Sequence, residues 1–179
     1  MKPSGSGVWR GESNVQFLRD KRGEMICPFC GAEVSSGVEN CPLCGASVVQ
    51  TVSSQSLLVL PVGTRLGRYT IGKPLGQGGF AITYLGSDTL LSRPVAVKEL
   101  FPEGCTRDGV TVRPSQISPG DFDQMRQKFL EEARLLARLS HPGIVKVYDF
   151  FKENNTAYMV MEYLEGKPLS KVWRRGEGG

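Results

Sequence analysis

The residues whose types and spacing could do chemistry fall in two groups. The first is Cys27-Pro28-Phe29-Cys30-Gly31 and Cys41-Pro42-Leu43-Cys44-Gly45, two copies of one pattern. Each Cys-x-x-Cys pair can form a tight turn that aims two sulfurs at one point. The glycine after it permits the left-handed backbone such a turn often needs. Two turns supply four thiolates, the closed tetrahedral set of a structural zinc ion. With no histidine ligand and no open position, hydrolytic chemistry at this site is not expected. A redox dithiol is the competing reading, but it leaves the second copy unexplained. A segment this short cannot bury enough apolar surface to fold alone, so metal binding must drive its folding. The fifth cysteine, Cys105, stands far from the others and reads as a free thiol.

The second group could handle phosphate. Leu75-Gly76-Gln77-Gly78-Gly79-Phe80-Ala81-Ile82-Thr83-Tyr84 places glycines at a strand-to-strand turn, where backbone amides can approach phosphate oxygens unobstructed. Glycine-rich hairpins are common, so this signal is weak alone. Val95-Ala96-Val97-Lys98-Glu99 follows on the next strand. Strand alternation puts Ala96 and Lys98 on one face, and a small residue beside a lysine fits a flat ring with its phosphates adjacent. The lysine needs an acid, and Glu131 and Glu132 follow on a helix. The residues three and four positions from Glu131 are mostly polar, whereas Glu132 has Phe129, Leu135 and Leu136 among its neighbours. Glu132 therefore borders the inward face and is the expected partner of Lys98, while Glu131 reads as a surface charge.

These groups sit on elements that can be read from periodicity and punctuation. Residues 1–24, rich in glycine, serine and charge, are expected to be a disordered extension. Residues 25–48 form the cysteine module and 49–66 a linker, with Ser53-Ser54-Gln55-Ser56 inside it and a short apolar run that could dock on the next domain. From residue 67 to 179 the pattern is that of alternating strands around one helix. Tyr69 to Gln77, Ala81 to Ser87 and Pro94 to Leu100 read as strands. Residues 101–120, dense in proline and glycine, read as a long loop. Phe122, Met125, Phe129, Leu130, Ala133, Leu136 and Ala137 recur at helical spacing, with Asp121 as the expected N-cap and His141-Pro142-Gly143 as the stop. Ile144 to Phe151 and Thr156 to Tyr163 are two further strands, joined at Glu153-Asn154-Asn155. The final stretch, Gly176 to Gly179, reads as frayed.

In this order and spacing, the glycine turn, Val-Ala-Val-Lys, Phe129-Leu130-Glu131-Glu132-Ala133, His141-Pro142-Gly143-Ile144-Val145 and Tyr158-Met159-Val160-Met161-Glu162-Tyr163-Leu164 resemble the eukaryotic-type protein kinases, most of all bacterial serine/threonine kinases. The resemblance runs from about Tyr69 to Val172. Within those kinases it is closest to a group in which Ile-Thr-Tyr ends the glycine loop and a Lys-Glu-Leu-Phe-Pro stretch like that of residues 98–102 follows the third strand. The cysteine module is similar to short zinc ribbons at the start of many bacterial multidomain proteins. The implied class is α+β: a small zinc ribbon, then a kinase N-terminal lobe with a five-stranded antiparallel sheet packed on one main helix. The resemblance implies that Gly76, Gln77, Gly78 and Gly79 form the phosphate loop with Phe80 at its tip. It implies that Lys98 contacts the α- and β-phosphates of ATP and pairs with Glu132. Leu75, Thr83 and Ala96 would enclose the adenine, Met161 would back the pocket, and backbone groups of Glu162 and Leu164 would hydrogen-bond the base. Two departures are Ala81 for the usual third glycine and Thr83 for the usual valine. The His-Arg-Asp catalytic loop and the Asp-Phe-Gly metal site are absent from these residues. Asp149-Phe150-Phe151 lacks the glycine and precedes the hinge, and His141 reads as a turn residue. The chain alone is therefore expected to be inactive, with Mg²⁺ expected only in a complete kinase.

Bulk properties narrow the alternatives. The chain has 179 residues, 40% hydrophobic and 22% charged, with a net charge of +4 scattered along it. That pattern gives no reason to expect specific nucleic-acid binding, which concentrates charge on one face. No apolar run approaches the span of a membrane helix, and a cytoplasmic setting is expected. The expected partner is a protein substrate. The alternative reading is a non-catalytic nucleotide-binding or zinc-ribbon scaffold module.

Overall fold

The computed structural model describes residue 19, residues 23–48 and residues 58–166. The expected disorder of the N-terminal extension, the serine-rich part of the linker and the terminal glycines fall largely or wholly outside these residues.

The cysteine module is built from two equivalent knuckles. In each, the first cysteine donates its amide to a carbonyl five residues on (Cys27 to Ala32, Cys41 to Ala46, both 2.8 Å), and the glycine amide returns to the first cysteine's carbonyl. Gly31 and Gly45 take φ of 73° and 70°, the left-handed conformation read from their position after each pair. Short bridges, Ile26 with Glu33 and Asn40 with Ser47, close the two turns in the same way.

The main sheet has six strands in the order β1-β2-β3-β4-β8-β7, and every pairing is antiparallel. They are β1 (Arg65–Leu66), β2 (Tyr69–Gln77), β3 (Ala81–Asp88), β4 (Arg93–Leu100), β7 (Val147–Glu153) and β8 (Thr156–Glu162). The five longer strands are those read from the sequence, and β1 adds two residues at one edge. The β7–β8 turn has Asn154 and Asn155 at φ of 51° and 60°. Two consecutive left-handed residues make the hairpin turn whose twist matches the strands, and asparagine tolerates that conformation.

One helix, α1 (Pro119–Ala137), packs on β7 and β8. Its N-cap is Ser118, not Asp121. The Ser118 hydroxyl accepts from the Asp121 amide at 3.1 Å and donates to the Asp121 carboxylate at 2.7 Å. Pro119 decides the boundary, because its fixed φ and missing N–H suit the first helical position. Asp121 then lies in the first turn, where a negative charge favours the helix dipole. The helix ends at Ala137, short of His141, with the Arg138 amide closing on the Leu135 carbonyl and the Leu139 amide on the Leu136 carbonyl.

The segment read as a long loop holds a second small sheet, the hairpin β5 (Cys105–Asp108) and β6 (Thr111–Pro114). Asp108 pairs with Thr111, so the loop is Gly109-Val110 with Gly109 at φ of 60°. A glycine first in a two-residue loop is a hairpin signal, masked in the sequence by the surrounding prolines and glycines. This hairpin and residues 58–66 cover the sheet face bearing Tyr84, Val97, Glu99 and Tyr158. Leu60 is fully buried there, and its amide donates to the Tyr84 hydroxyl at 3.1 Å. A buried leucine of this kind contributes about 1.5–3 kcal/mol, so the apolar end of the linker is part of the lobe.

Candidate functional site

The opposite face of the sheet carries the residues singled out for nucleotide chemistry. Cross-strand partners share a face, and Thr83 lies opposite Lys98 while Ala96 lies opposite both Leu85 and Met161. Lys98 projects toward α1. Its Nζ stands 3.8 Å from Oε1 of Glu132 and 5.6 Å from the centroid of the Phe129 ring. Glu131 is exposed on the same helix and makes no such approach. The Lys98 and Glu132 side chains are 32% and 56% exposed. The pair contributes about 1 kcal/mol or less to stability, so its value lies in placement. Lys98, Glu132, Phe129, Met125, Phe80 and Ala81 line one groove between the helix and the glycine turn.

The glycine turn closes with the Gly78 amide on the Ala81 carbonyl at 2.9 Å, and Phe80 stands 69% exposed at its tip. A β-carbon added at Gly76 or Gly78 would meet no protein atom within 4 Å, and neither residue has a positive φ. Packing and backbone strain therefore do not explain these glycines. Leu75 lies exposed on β2 and Leu164 exposed beyond β8. The Glu162 amide donates to the Lys146 carbonyl at 2.9 Å, so it is occupied within the protein. His141 accepts from the Gly143 amide through Nδ1 at 3.0 Å in the turn after the helix. Asp149 accepts from the Tyr69 hydroxyl at 3.1 Å, well away from the lysine.

The four cysteines of the knuckles converge. Their sulfurs all lie within 4.8 Å of one another, with Cys27 to Cys44 and Cys30 to Cys41 at 3.7 Å. A tetrahedron with metal–sulfur bonds of about 2.3 Å has edges of about 3.8 Å, so the donor set fits zinc. Without a cation, four thiols this close cannot ionise together. Hydrogen bonding from Cys30 holds the Cys27 thiol down at about 5, and the same contact, with burial, pushes Cys30 up.

The knuckles are not a separate body. Leu85 of β3 and Tyr163 pack into the cysteine cluster. The Phe29 carbonyl accepts from the Lys73 amide at 2.7 Å, and the Lys73 ammonium sits 4.5 Å from the centroid of the Phe29 ring. A β-carbon at Gly72 would fall 2.0 Å from the Phe29 carbonyl oxygen, and one at Gly31 would fall 2.4 Å from that of Ile71. Leu85 shares its sheet face with Ala96 and Lys98. The ribbon thus occupies one end of the face whose other end is held by α1. None of these contacts was read from the sequence; Gly72, a glycine inside a strand, was the available signal for close backbone approach.

A second unanticipated feature lies on the other face. Glu99, fully buried, accepts from the Tyr84 and Tyr158 hydroxyls at 2.8 and 3.0 Å and from Arg107 in a two-pronged ion pair at 3.1 and 2.6 Å. Burial and the Glu99 charge push both tyrosines well above their usual range. Burial opposes the charge on Arg107, but bonding to Glu99 outweighs it and holds the guanidinium above its usual value.

The protein kinase domain family matches residues 69–178. The chain belongs to the protein kinase family. It is 36% identical over 110 residues to the serine/threonine-protein kinase PksC of Streptomyces coelicolor, a match covering 59% of this chain and 17% of that protein. It is 34% identical over 111 residues to the serine/threonine-protein kinase PrkC of Bacillus subtilis, covering 62% of this chain and 15% of that one. Among solved structures, the apo form of PpkA-294 superposes with a TM-score of 0.61 at 36% identity, over 66% of this chain and 43% of that one. The chain thus spans only a small fraction of the length of the curated relatives it matches. Both curated relatives are serine/threonine-protein kinases, and the described residues of this chain are those of a kinase N-terminal lobe preceded by a four-cysteine cluster that fits a zinc ribbon. Among the described residues no helix is long and apolar enough to cross a membrane.

Proposed function

We propose that this chain is the ATP-binding lobe of a kinase that transfers the γ-phosphate of ATP to serine or threonine hydroxyls of a protein substrate. The observation that carries the reading is the approach of Lys98 to Glu132 in a groove shared with Phe80 and Ala81 of the glycine turn, where a β-carbon at Gly76 or Gly78 would meet no protein atom within 4 Å. Lys98 orients the α- and β-phosphates, and Glu132 keeps the ammonium aimed. The turn Gly76-Gln77-Gly78-Gly79 presents its backbone to the phosphates with Phe80 above them, the Gly78 amide being taken by the Ala81 carbonyl. Leu75, Thr83, Ala96 and Met161 enclose the adenine, and backbone groups of Glu162 and Leu164 read its edge. For Glu162 that group is the carbonyl, because its amide is taken by Lys146. These residues bind and position; the base and the magnesium ligands come from the family's second lobe, so these 179 residues are inactive by themselves.

Cys27, Cys30, Cys41 and Cys44 hold one structural zinc ion, and residues 25–48 are the ribbon it organises. A four-thiolate site suits a cytoplasmic setting, where thiols stay reduced. The test of the reaction class is phosphoamino-acid analysis of a mixed protein substrate after incubation of the complete kinase with γ-labelled ATP. Label on serine and threonine is expected, and label on tyrosine alone overturns the assignment.

A further inference from the structure

We propose that the hairpin β5–β6 is a brace for the phosphate loop, and that Arg107 is the positioning residue that bolts it in place. The inference rests on the glycine turn being that loop, but the brace itself is a property of the unliganded chain.

Arg107 ties its own hairpin to two other segments of the chain. Its guanidinium grips Glu99 of β4, its Nε donates to the Leu58 carbonyl at 2.9 Å, and its Nη1 donates to the Val110 carbonyl at 3.0 Å. The hairpin is held a second time at the β7–β8 turn, where the Val112 amide donates to the Asn154 carbonyl and the Asn155 side chain returns to the Val112 carbonyl, both at 2.9 Å. Between β4 and the hairpin run Phe101, Pro102 and Glu103. The Phe101 amide donates to the Phe80 carbonyl and the Glu103 amide to the Gly79 carbonyl, both at 2.9 Å. The carbonyls at the tip of the glycine turn are therefore held by a segment whose far end Arg107 anchors. Arg107 also covers the Phe101 ring, 4.9 Å from its centroid.

Stability alone does not account for this arrangement. An arginine and a glutamate, each 2% exposed or less, are costly to desolvate, and apolar residues of the same volume often serve a core as well. What the two-pronged pair supplies is a fixed register. Glu99 adjoins Lys98 on the strand and faces the other way. Gripping Glu99 therefore fixes the backbone that aims Lys98, while the same guanidinium fixes the segment that holds Gly79 and Phe80. One side chain thus sets the lysine and the loop relative to each other.

The experiment is residue-resolved amide hydrogen exchange on the chain without nucleotide, comparing wild type with Arg107→Met, Arg107→Lys and the paired change Glu99→Leu with Arg107→Leu. In Arg107→Met the Phe101 and Glu103 amides are expected to gain at least ~10-fold more in exchange rate than Val160 in β8, whose own change reports the global loss of stability from leaving Glu99 unpaired. Arg107→Lys, which keeps the charge but loses the fork, restores part of that protection. The paired change remains folded, by its Val160 protection, and still releases Phe101 and Glu103. Should Arg107→Met fail to fold, the Lys and paired variants carry the same readout. Unchanged exchange at Phe101 and Glu103 in a folded variant, or equal acceleration throughout the sheet, overturns the proposal. Failure of the kinase reading leaves the exchange result standing, so the two can be told apart.

Discussion

The carbonyl of Phe29, between two ligand cysteines, accepts a hydrogen bond from the amide of Lys73 at 2.7 Å. That bond joins the cysteine knuckles to the strand leading into the glycine turn. The linker read from the sequence suggests two independent cores, so that loss of one cysteine would leave the strands untouched. The shared contacts at Gly72, Leu85 and Tyr163 argue otherwise. Chelation of the metal is expected to release the Lys73 amide to exchange and to lower the melting temperature of the sheet as well as of the ribbon. A chelated protein that keeps Lys73 protected contradicts this.

Gly72→Ala tests the same seam without touching the metal. The new methyl would fall on backbone atoms of Phe29 and Cys30, which cannot rotate away. A loss of about 1–3 kcal/mol is expected, measured by denaturant unfolding. Gly76→Ala, facing open space, should cost little stability. Equal effects of the two changes would place the ribbon contact in doubt.

The metal prediction is stoichiometric. Elemental analysis of purified chain should find one zinc bound through Cys27, Cys30, Cys41 and Cys44, whose sulfurs all lie within 4.8 Å of one another, two pairs at 3.7 Å. Cys105, buried and distant from the cluster, should not alter the count when changed to serine. A chain that refolds in excess zinc and holds none removes the basis for the ribbon.

Alkaline pH should unfold the lobe through its buried tyrosines. Tyr69 is pushed up to about 12, chiefly by burial, and Tyr84 and Tyr158 are pushed higher by burial and the Glu99 charge. The unfolded chain releases these protons near pH 10, while the folded lobe retains them. Their contribution is therefore complete below about pH 10 and is lost as pH rises through the folded values. Melting temperature against pH should fall above about pH 10, and less steeply in Tyr158→Phe. An identical fall in that variant contradicts the assignment.

What the sequence disclosed and what it concealed have separate physical causes. The strands, the helix and the Lys98–Glu132 approach are set by local periodicity: strand alternation aims Lys98, and helix spacing places Glu132 at the border of the inward face. The N-cap is Ser118 because Pro119 can start a helix, a local signal that Asp121 obscured. The hairpin at Gly109-Val110 was hidden by the prolines around it. Arg107 meeting Glu99 and Phe29 meeting Lys73 are contacts between elements far apart in the chain, which no periodicity encodes.

The pairing of Lys98 with Glu132 at 3.8 Å is the center of the functional account, and its most direct test is the rate of γ-phosphate transfer from ATP to protein in the complete kinase. Lys98→Ala should lower that rate by roughly 100-fold or more, as loss of a charged group facing the phosphates does, while the melting temperature moves by only a few degrees because the pair is part-exposed. Glu132→Ala should follow it in direction, and Glu131→Ala should leave the rate near wild type. A Lys98→Ala enzyme that retains its rate, or a Glu131→Ala enzyme crippled while Glu132→Ala is not, would contradict the account.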